Sequence, residues 1–235
     1  MAPVTVLYED AVCIVVVKPP GMASQTDRSS APDMVSWLKN YLSRKQKGKE
    51  PYVGVVHRLD RPVGGVMVYA LTKAAAADLS GQIRQNLMQK SYLAVLKGRP
   101  AQTEGSCTDW LKKDGKTNTS SVVPENTPEA KKAVLKYRVL ETRSLPEGEL
   151  SLVRVALVTG RHHQIRVQMA HQGTPLMGDL RYGPGAAAGR QREMPALFAA
   201  ELSFRHPVTG RVMHFEAPPS ESITRYFPQE ADQHE

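Results

Sequence analysis

A short stretch near position 60 places four ionisable side chains within five residues. The sequence VVHRLDRPVGG (55–65) carries His57, Arg58, Asp60 and Arg61 between an apolar run and a pair of glycines. An aspartate beside arginines stays ionised and oriented, because the neighbouring positive charge favours the carboxylate. Such a carboxylate is a candidate nucleophile toward a substrate that already has a good leaving group. An ion pair without chemistry has the same local sequence, since polar residues and glycine also collect in turns for backbone reasons.

Other residues of the chain raise two further kinds of site. Three more positive groups could keep the Asp60 carboxylate ionised and oriented: Lys90, Arg161 and Arg166. A metal site is conceivable from six residues: His57, Asp60, His162, His163, His171 and Asp179. Their spacing matches no strong ligand pattern, and adjacent histidines rarely point at one ion. The glycine-rich loop at 183–189 lacks the lysine and hydroxyl residue that end a phosphate-binding loop. We therefore expect neither a metal nor an organic cofactor.

The charge balance indicates a polyanionic partner. The formal net charge is +8 and the sequence pI is about 9.5, although many basic proteins have no such partner. The run SRKQKGKE (43–50) concentrates four basic residues without an apolar one: Arg44, Lys45, Lys47 and Lys49. We expect an exposed basic loop there that contacts phosphates and so gives affinity without sequence choice.

Several classes of protein are disfavoured by the composition. The longest apolar run, AVCIVVV (11–17), is far too short to span a bilayer. The first ten residues show no export signal. Cys13 and Cys107 are too few for a disulfide framework or a thiolate metal cage. We expect a cytoplasmic protein with no membrane partner.

The elements that must position these residues follow from apolar periodicity. Strands are predicted near 4–8, 13–17, 53–56, 66–70, 90–98, 133–141 and 149–158, with two more joined at HPVTG (206–210). Helices are predicted near 33–43, 72–87 and 161–173. A start signal that ends at Asp33 precedes the first, Thr72 can cap the second, and Gly173 ends the third. In the second helix the apolar stripe is Ala75, Leu79, Ile83 and Leu87.

Residues 98–129 are rich in Gly, Asn, Ser, Thr and Pro, and they predict a long irregular connection, with small hairpins left open as an alternative. Mixed strands with few helices favour an α+β fold over a regular βαβ series. We expect one domain over 1–235, with residues 220–235 as a polar tail.

Four stretches, in this order, resemble the RluA-type RNA pseudouridine synthases. They are IVVVKPPGM (14–22), VHRLDRPVGGVMVYALT (56–72), QKSYLAVLKG (89–98) and LVTGRHHQIRVQMAHQGTPLMGDLRYG (157–183). Two departures stand out. Leu-Phe-Ala at 197–199 occupies a place where the family commonly has Leu-His-Ala. We also expect a catalytic domain alone, without the small RNA-binding module of many relatives.

The resemblance implies the family's α+β catalytic fold: a mixed, largely antiparallel sheet with flanking helices and a central cleft. It also implies that Asp60 is the catalytic carboxylate. The bond from uracil N1 to the ribose breaks, the base turns, and it is rejoined through a carbon. Whether the carboxylate adds to the sugar, adds to the base or first takes a sugar proton is left open. Arg166 would pair with Asp60, and Tyr92 would stack on the target base and serve in proton transfer.

Substrate-binding roles follow from the same motifs. Arg58 would stand beside the stack that the flipped base leaves, and Lys18 and Arg161 would support the site or contact phosphates. His57 and Lys90 complete the substrate-binding set, and Gly64 and Gly65 would allow close approach of backbone and RNA.

The implied function is isomerisation of specific uridines in structured ribosomal or transfer RNA, by a monomer without a cofactor. One alternative is a catalytically inactive RNA-binding protein of the same fold. Another is a metal-dependent hydrolase that uses the histidines.

Overall fold

The computed structural model describes residues 3–26, 31–45, 50–146, 148–183 and 194–228. Within them the elements, in chain order, are β1 (Thr5–Glu9), β2 (Cys13–Lys18), α1 (Met34–Ser43), β3 (Gly54–Val55), β4 (Gly64–Ala70), α2 (Lys73–Arg84), β5 (Gln89–Lys97), β6 (Glu104–Asp114), β7 (Thr119–Val123), β8 (Lys131–Leu145), β9 (Gly148–Leu157), α3 (Gln164–His171), β10 (Leu197–Arg205), β11 (Val212–Glu216) and α4 (Glu221–Thr224). Largely antiparallel strands with few helices confirm the predicted α+β class.

The chain divides into two compact units. The first consists of Met1–Lys90 with Ala199–Pro218, and the second of Ser91–Phe198 with Pro219–Glu235. The single domain expected over 1–235 stays a prediction. None of the helices in the described parts of the chain has both the length and the apolar content needed to cross a bilayer.

In the first unit, β4 lies in the middle of the sheet. The strand order is β1-β2-β4-β10-β11, and β3 also pairs with β4. Every residue of β4 is buried, as is typical of a continuous apolar strand covered on both faces. The strand leads directly out of the segment that carries Asp60, so that segment is anchored at its C-terminal end to the centre of the sheet.

The two helices of this unit begin at side-chain caps, as predicted. The Asp33 carboxylate accepts a hydrogen bond from the Ser36 N–H in α1, and the Thr72 hydroxyl accepts one from the Ala75 N–H in α2. The predicted apolar stripe of α2 is wrong at its end. Leu87 lies beyond the helix and is 44% exposed, because α2 ends at Arg84 and the chain then turns at Asn86 with a φ of 56°.

The second unit contains an antiparallel sheet in the order β5-β9-β8-β6-β7. Helix α3 packs against β6 and β7. The irregular connection predicted for residues 98–129 is therefore wrong for β6 and β7, which form a long hairpin. The composition of these strands resembles that of a loop, because one face of the hairpin carries polar residues and only the other face is covered.

Part of the expected polar tail is also structured. Residues 221–224 form α4, and the side chains of Ile223 and Phe227 are 1% and 3% exposed. These two apolar side chains hold the segment against the rest of the unit. The described portion of 220–235 thus differs from the expected tail, and residues 229–235 lie outside the described range, as do 184–193, which contain most of the glycine-rich loop.

Candidate active site

The turn that carries Asp60 is held through its main chain. The carbonyl of Asp60 accepts a hydrogen bond from the Val63 N–H at 2.9 Å, which closes the turn. The next carbonyl, that of Arg61, accepts from the Gly21 N–H at 2.8 Å and from Lys18 Nζ at 3.2 Å. Two donors from the lysine-proline-glycine segment therefore fix the peptide that follows the candidate catalytic carboxylate.

Lys18 has no exposed surface, and its ammonium group is directed at main-chain carbonyls. Besides Arg61 O, Nζ donates to Met22 O at 2.7 Å and to Pro19 O at 3.1 Å. Burial lowers the pKa of Lys18 to about 7, the negative charge of Asp60 acts in the opposite direction, and Arg61 adds to the lowering. Three donated hydrogen bonds use the three N–H groups of the ammonium. Between the two predicted roles, support of the site is favoured over a phosphate contact.

Ser24 holds the residue before Asp60 in the same way. Its hydroxyl donates to the Leu59 carbonyl at 2.7 Å and accepts from the Leu59 N–H at 3.0 Å. The Ser24 carbonyl in turn accepts from the buried Tyr69 hydroxyl at 2.9 Å. This serine was not identified from the sequence, because a lone serine after KPPGMA has no distinguishing spacing.

His57 completes the first unit's support of the turn. Its Nε2 accepts a hydrogen bond from the Val68 N–H at 3.1 Å. The imidazole therefore bonds to β4 at the residue next to the last one that pairs with β3. An accepting Nε2 puts the proton on Nδ1, which is buried without a hydrogen-bond partner among the described residues. Burial, and secondarily the charge of Lys90, holds the pKa of His57 well below its ordinary value. Burial also lowers the pKa of Lys90, to about 8.

The two glycines after the motif are required by packing. A Cβ on Gly65 would lie 2.2 Å from the Ala199 carbonyl oxygen, and the φ of Gly65 is 132°. A Cβ on Gly64 would meet Pro20 Cδ at 3.0 Å and Lys18 O at 3.1 Å. Neighbouring backbone and proline atoms therefore account for both glycines, and close approach of RNA is not needed to explain them.

In the second unit, Arg166 forms a buried, two-pronged ion pair with Asp179. Arg166 Nε lies 2.7 Å from Asp179 Oδ2, and Nη2 lies 2.8 Å from Oδ1; the two side chains are 5% and 0% exposed. Oδ1 also accepts from the Arg181 and Tyr182 N–H groups. Sequence reasoning considered Asp179 only as a metal ligand and missed this pairing. The predicted pairing of Arg166 with Asp60 stays a prediction.

A chain of hydrogen bonds fixes the residues before Arg166. The Tyr182 hydroxyl accepts from the Ser120 N–H at 2.9 Å and shares a hydrogen bond with His163 Nδ1, 2.6 Å away, whose donor depends on the His163 tautomer. Burial, followed by the charges of Arg166 and other nearby cations, lowers the pKa of His163 to about 2. The Arg166 guanidinium lies over the Tyr182 ring at 5.2 Å.

The remaining predicted residues are placed as follows. Tyr92 is 6% exposed on β5, opposite Val155. Arg161 is exposed just before α3 and donates from Nε to the Lys132 carbonyl at 2.9 Å. Arg58 is exposed and Asp60 is half-buried in the first unit.

In the second unit, His162 and His163 are held by contacts other than a metal arrangement. His162 and His163 stack on each other with ring centroids 3.7 Å apart, and His162 Nδ1 is 2.9 Å from Ser120 Oγ. Among the described residues, one group has metal-like geometry: Asp10, Cys13 and His206.

Hydrogen bonding explains that group of three. His206 Nδ1 accepts from the N–H groups of Val208 and Thr209, so the proton lies on Nε2 and is donated to Asp10 Oδ2 at 2.7 Å. A metal ion would need the Nε2 lone pair and would break this arrangement. The absence of a metal nevertheless stays a prediction.

Comparison with known proteins gives matches to one family. The sequence profile described as RNA pseudouridylate synthase matches residues 12–171. A ribosomal large subunit pseudouridine synthase C from Escherichia coli (strain K12) is 33% identical over 226 residues, which cover 94% of this chain and 68% of that protein. The dual-specificity RNA pseudouridine synthase RluA of Yersinia pestis is 36% identical over 212 residues, which cover 90% and 97%.

Solved structures show the same fold. Human RNA pseudouridylate synthase domain containing 1 superposes with a TM-score of 0.72 at 24% identity, covering 93% of this chain and 86% of that one. The fold and the matched motifs define an RNA-modifying isomerase. The chain belongs to the RNA pseudouridylate synthase family, whose members convert uridine to pseudouridine.

Proposed function

We propose that this enzyme isomerises specific uridines of structured ribosomal or transfer RNA, with Asp60 as the catalytic carboxylate. The observation that supports Asp60 is the clamped turn around it. Three side chains and a glycine N–H fix the flanking peptides, yet the carboxylate itself remains half-buried. A carboxylate held in one orientation, and reached by a flipped base, is what a nucleophilic or proton-abstracting role requires.

The RNA class rests on the relatives. One relative is named for the large ribosomal subunit and another for dual specificity. The net charge of +8 agrees with a polyanionic substrate. Ribosomal RNA is therefore the first substrate to test and transfer RNA the second. Action as a monomer in the cytoplasm belongs to the same proposal.

The proposed chemistry uses side chains alone. Asp60 would react with the sugar or the base, the N1–ribose bond would break, and the base would rejoin through a carbon. That carbon gives up its proton and N1 takes one up, so the composition of the nucleotide is unchanged. Tyr92 would stack on the base and move a proton, and Arg166 would pair with Asp60. Arg58, exposed beside Asp60, would enter the stack that the base leaves.

The decisive experiment is Asp60→Asn, which is nearly isosteric and removes the negative charge. Folding and RNA binding should survive, and pseudouridine formation, measured by chromatography of nucleosides from digested RNA, should fall below detection. The matched control is Asp114→Asn, an exposed aspartate in the β6–β7 turn, which should retain wild-type activity. An Asp60→Asn protein that works near the wild-type rate would remove Asp60 from the chemistry. A wild-type protein that binds RNA but forms no pseudouridine would support the inactive alternative.

A further inference from the structure

One face of the second unit's sheet carries a cluster of basic side chains around a tryptophan. Along β6 and β8, alternate residues point to opposite faces. Leu111, Ala133 and Leu135 are buried on the face that α3 covers. The opposite positions form what we call the outer face: Trp110, Lys112, Lys132, Lys136 and Arg138.

The strand register places these side chains as neighbours. Trp110 lies directly opposite Lys132, and Lys112 is two residues from Trp110 on the same face. Lys136 stands four residues further along β8, which corresponds to about 13 Å. Lys132, Lys136 and Arg138 are exposed, and Trp110 and Lys112 are half-buried. The outer face therefore combines spaced positive charges with one partly exposed aromatic ring.

Acidic side chains do little to neutralise this face. Glu104 faces Arg138 at 3.5 Å, but both are about 70% exposed, and such a pair is worth little in water. Asp114 is engaged at the turn, where it accepts from the Lys116 N–H and the Thr117 hydroxyl. The three lysines are thus left as a net positive surface.

The outer face is distinct from the residues assigned to catalysis in this unit. Arg166 belongs to α3, on the other side of the sheet, and Gln168 of the same helix donates to Asp109 on the covered face of β6. Tyr92 pairs with Val155, whose side chain is fully buried on the covered face. A ligand on the outer face would therefore contact neither Tyr92 nor Arg166.

We propose that the outer face binds a single-stranded segment of the substrate RNA, with phosphates on Lys112, Lys132 and Lys136 and a base stacked on Trp110. The proposal rests on the enzyme acting on RNA. Sheets that present an aromatic ring among basic residues suit single strands, because every base offers a stacking surface and the lysines need only phosphates. The segment would lie outside the target stem and would add affinity without taking part in the reaction.

The test uses the tryptophan as its own reporter. Trp37 and Trp110 are the two tryptophans of the chain, so Trp37→Phe leaves Trp110 as the sole one, and Phe preserves a ring for the stack on Tyr41. Titration with a single-stranded oligouridylate of about 20 nucleotides should quench Trp110 fluorescence saturably. A duplex RNA of the same length should quench it less.

Three lysine substitutions then test the charges. In the Trp37→Phe background, Lys112→Gln, Lys132→Gln and Lys136→Gln together should lower the slope of log affinity against log salt by about 2, since each single-strand phosphate contact contributes about 0.7. The matched control removes three exposed charges elsewhere, with Lys73→Gln, Arg84→Gln and Arg99→Gln. Its slope should change by less than about 0.5. The rate of pseudouridine formation at saturating RNA should be equal in both triple variants.

The outcomes separate this proposal from the proposed function. If pseudouridine forms but Trp110 does not respond, or if both triple variants have the same slope, the outer face does not bind RNA and the enzymatic proposal stands. If Trp110 responds but no pseudouridine forms, the binding face stands and the enzymatic proposal fails. Quenching by polyglutamate but not by RNA would overturn the assignment in favour of an acidic protein partner.

Discussion

Asp179→Asn removes the negative charge from the buried pair with Arg166 while keeping the shape of the side chain. The two charged groups make hydrogen bonds of 2.7 and 2.8 Å at 5% and 0% exposure. The substitution leaves a buried guanidinium without this counterion and places an amide near its N–H groups. Breaking a buried pair by removing one partner costs about 3–5 kcal/mol. We expect the free energy of unfolding to fall by that amount.

Urea unfolding followed by circular dichroism measures the effect. At a slope of about 3 kcal/mol per molar urea, the midpoint should fall by about 1 M or more with the slope unchanged. The matched control is Glu104→Gln, which breaks the exposed pair with Arg138 at 3.5 Å in the same unit. It should cost less than about 1 kcal/mol. Equal losses in the two variants would refute the reasoning from burial.

A double variant separates the structural role of Arg166 from its proposed catalytic one. Arg166→Met with Asp179→Asn removes both charges of the pair, and the amide oxygen at position 179 can still accept from the Arg181 and Tyr182 N–H groups. Stability should therefore return close to the wild-type value, while pseudouridine formation should not return. Recovery of activity along with stability would remove Arg166 from the catalytic set.

Three further predictions concern acid stability, backbone packing and metal dependence. The pKa of His163 is lowered from 6.5 to about 2 in the folded protein. Below about pH 6.5 the unfolded chain therefore binds a proton that the folded chain does not. The free energy of unfolding should fall by about 1.4 kcal/mol for each further unit of pH. Unfolding at about pH 7 and pH 5 should show a loss about 2 kcal/mol larger in wild type than in His163→Asn, which tolerates the φ of 54°. Gly65→Ala should cost about 3 kcal/mol or more, because its Cβ would lie 2.2 Å from Ala199 O; Gly115→Ala, with nothing within 4 Å, should unfold at nearly the wild-type urea midpoint. Chelation of divalent ions should leave the rate of pseudouridine formation unchanged once the RNA fold is verified, and a loss restored by one specific ion would contradict this.

The sequence predicted those features that depend on residues close together in the chain. The caps Asp33 and Thr72, the β1–β2 pair and the end of α3 before Gly173 depend on neighbours a few residues away. The predicted basic run is partly described. Arg44 is exposed, Lys45 pairs with Glu9 at 2.6 Å, and Lys47 and Lys49 lie outside the described residues.

The contacts that hold the site were beyond the reach of the sequence pattern. Ser24 and Leu59 are 35 residues apart, and Lys18 and Arg61 are 43 apart, so no periodicity links them. The pair of Arg166 with Asp179 shows the same limit. The family motif predicts Asp60 as a partner of Arg166, but the ion pair with Asp179 depends on the turn after α3, which no motif indicated. The hairpin of β6 and β7 was missed because exposed strand faces look like loops in composition.

The hydrogen bonds to the Arg61 carbonyl have an evolutionary consequence. Lys18 Nζ and the Gly21 N–H both recognise a main-chain oxygen, which every amino acid supplies. A change of side chain at position 61 therefore leaves these two hydrogen bonds to the turn in place. Lys18 and Gly21 lack this latitude, since one supplies the ammonium and the other adopts a φ of 86°. Among descendants of this gene, positions 18 and 21 should therefore stay the same.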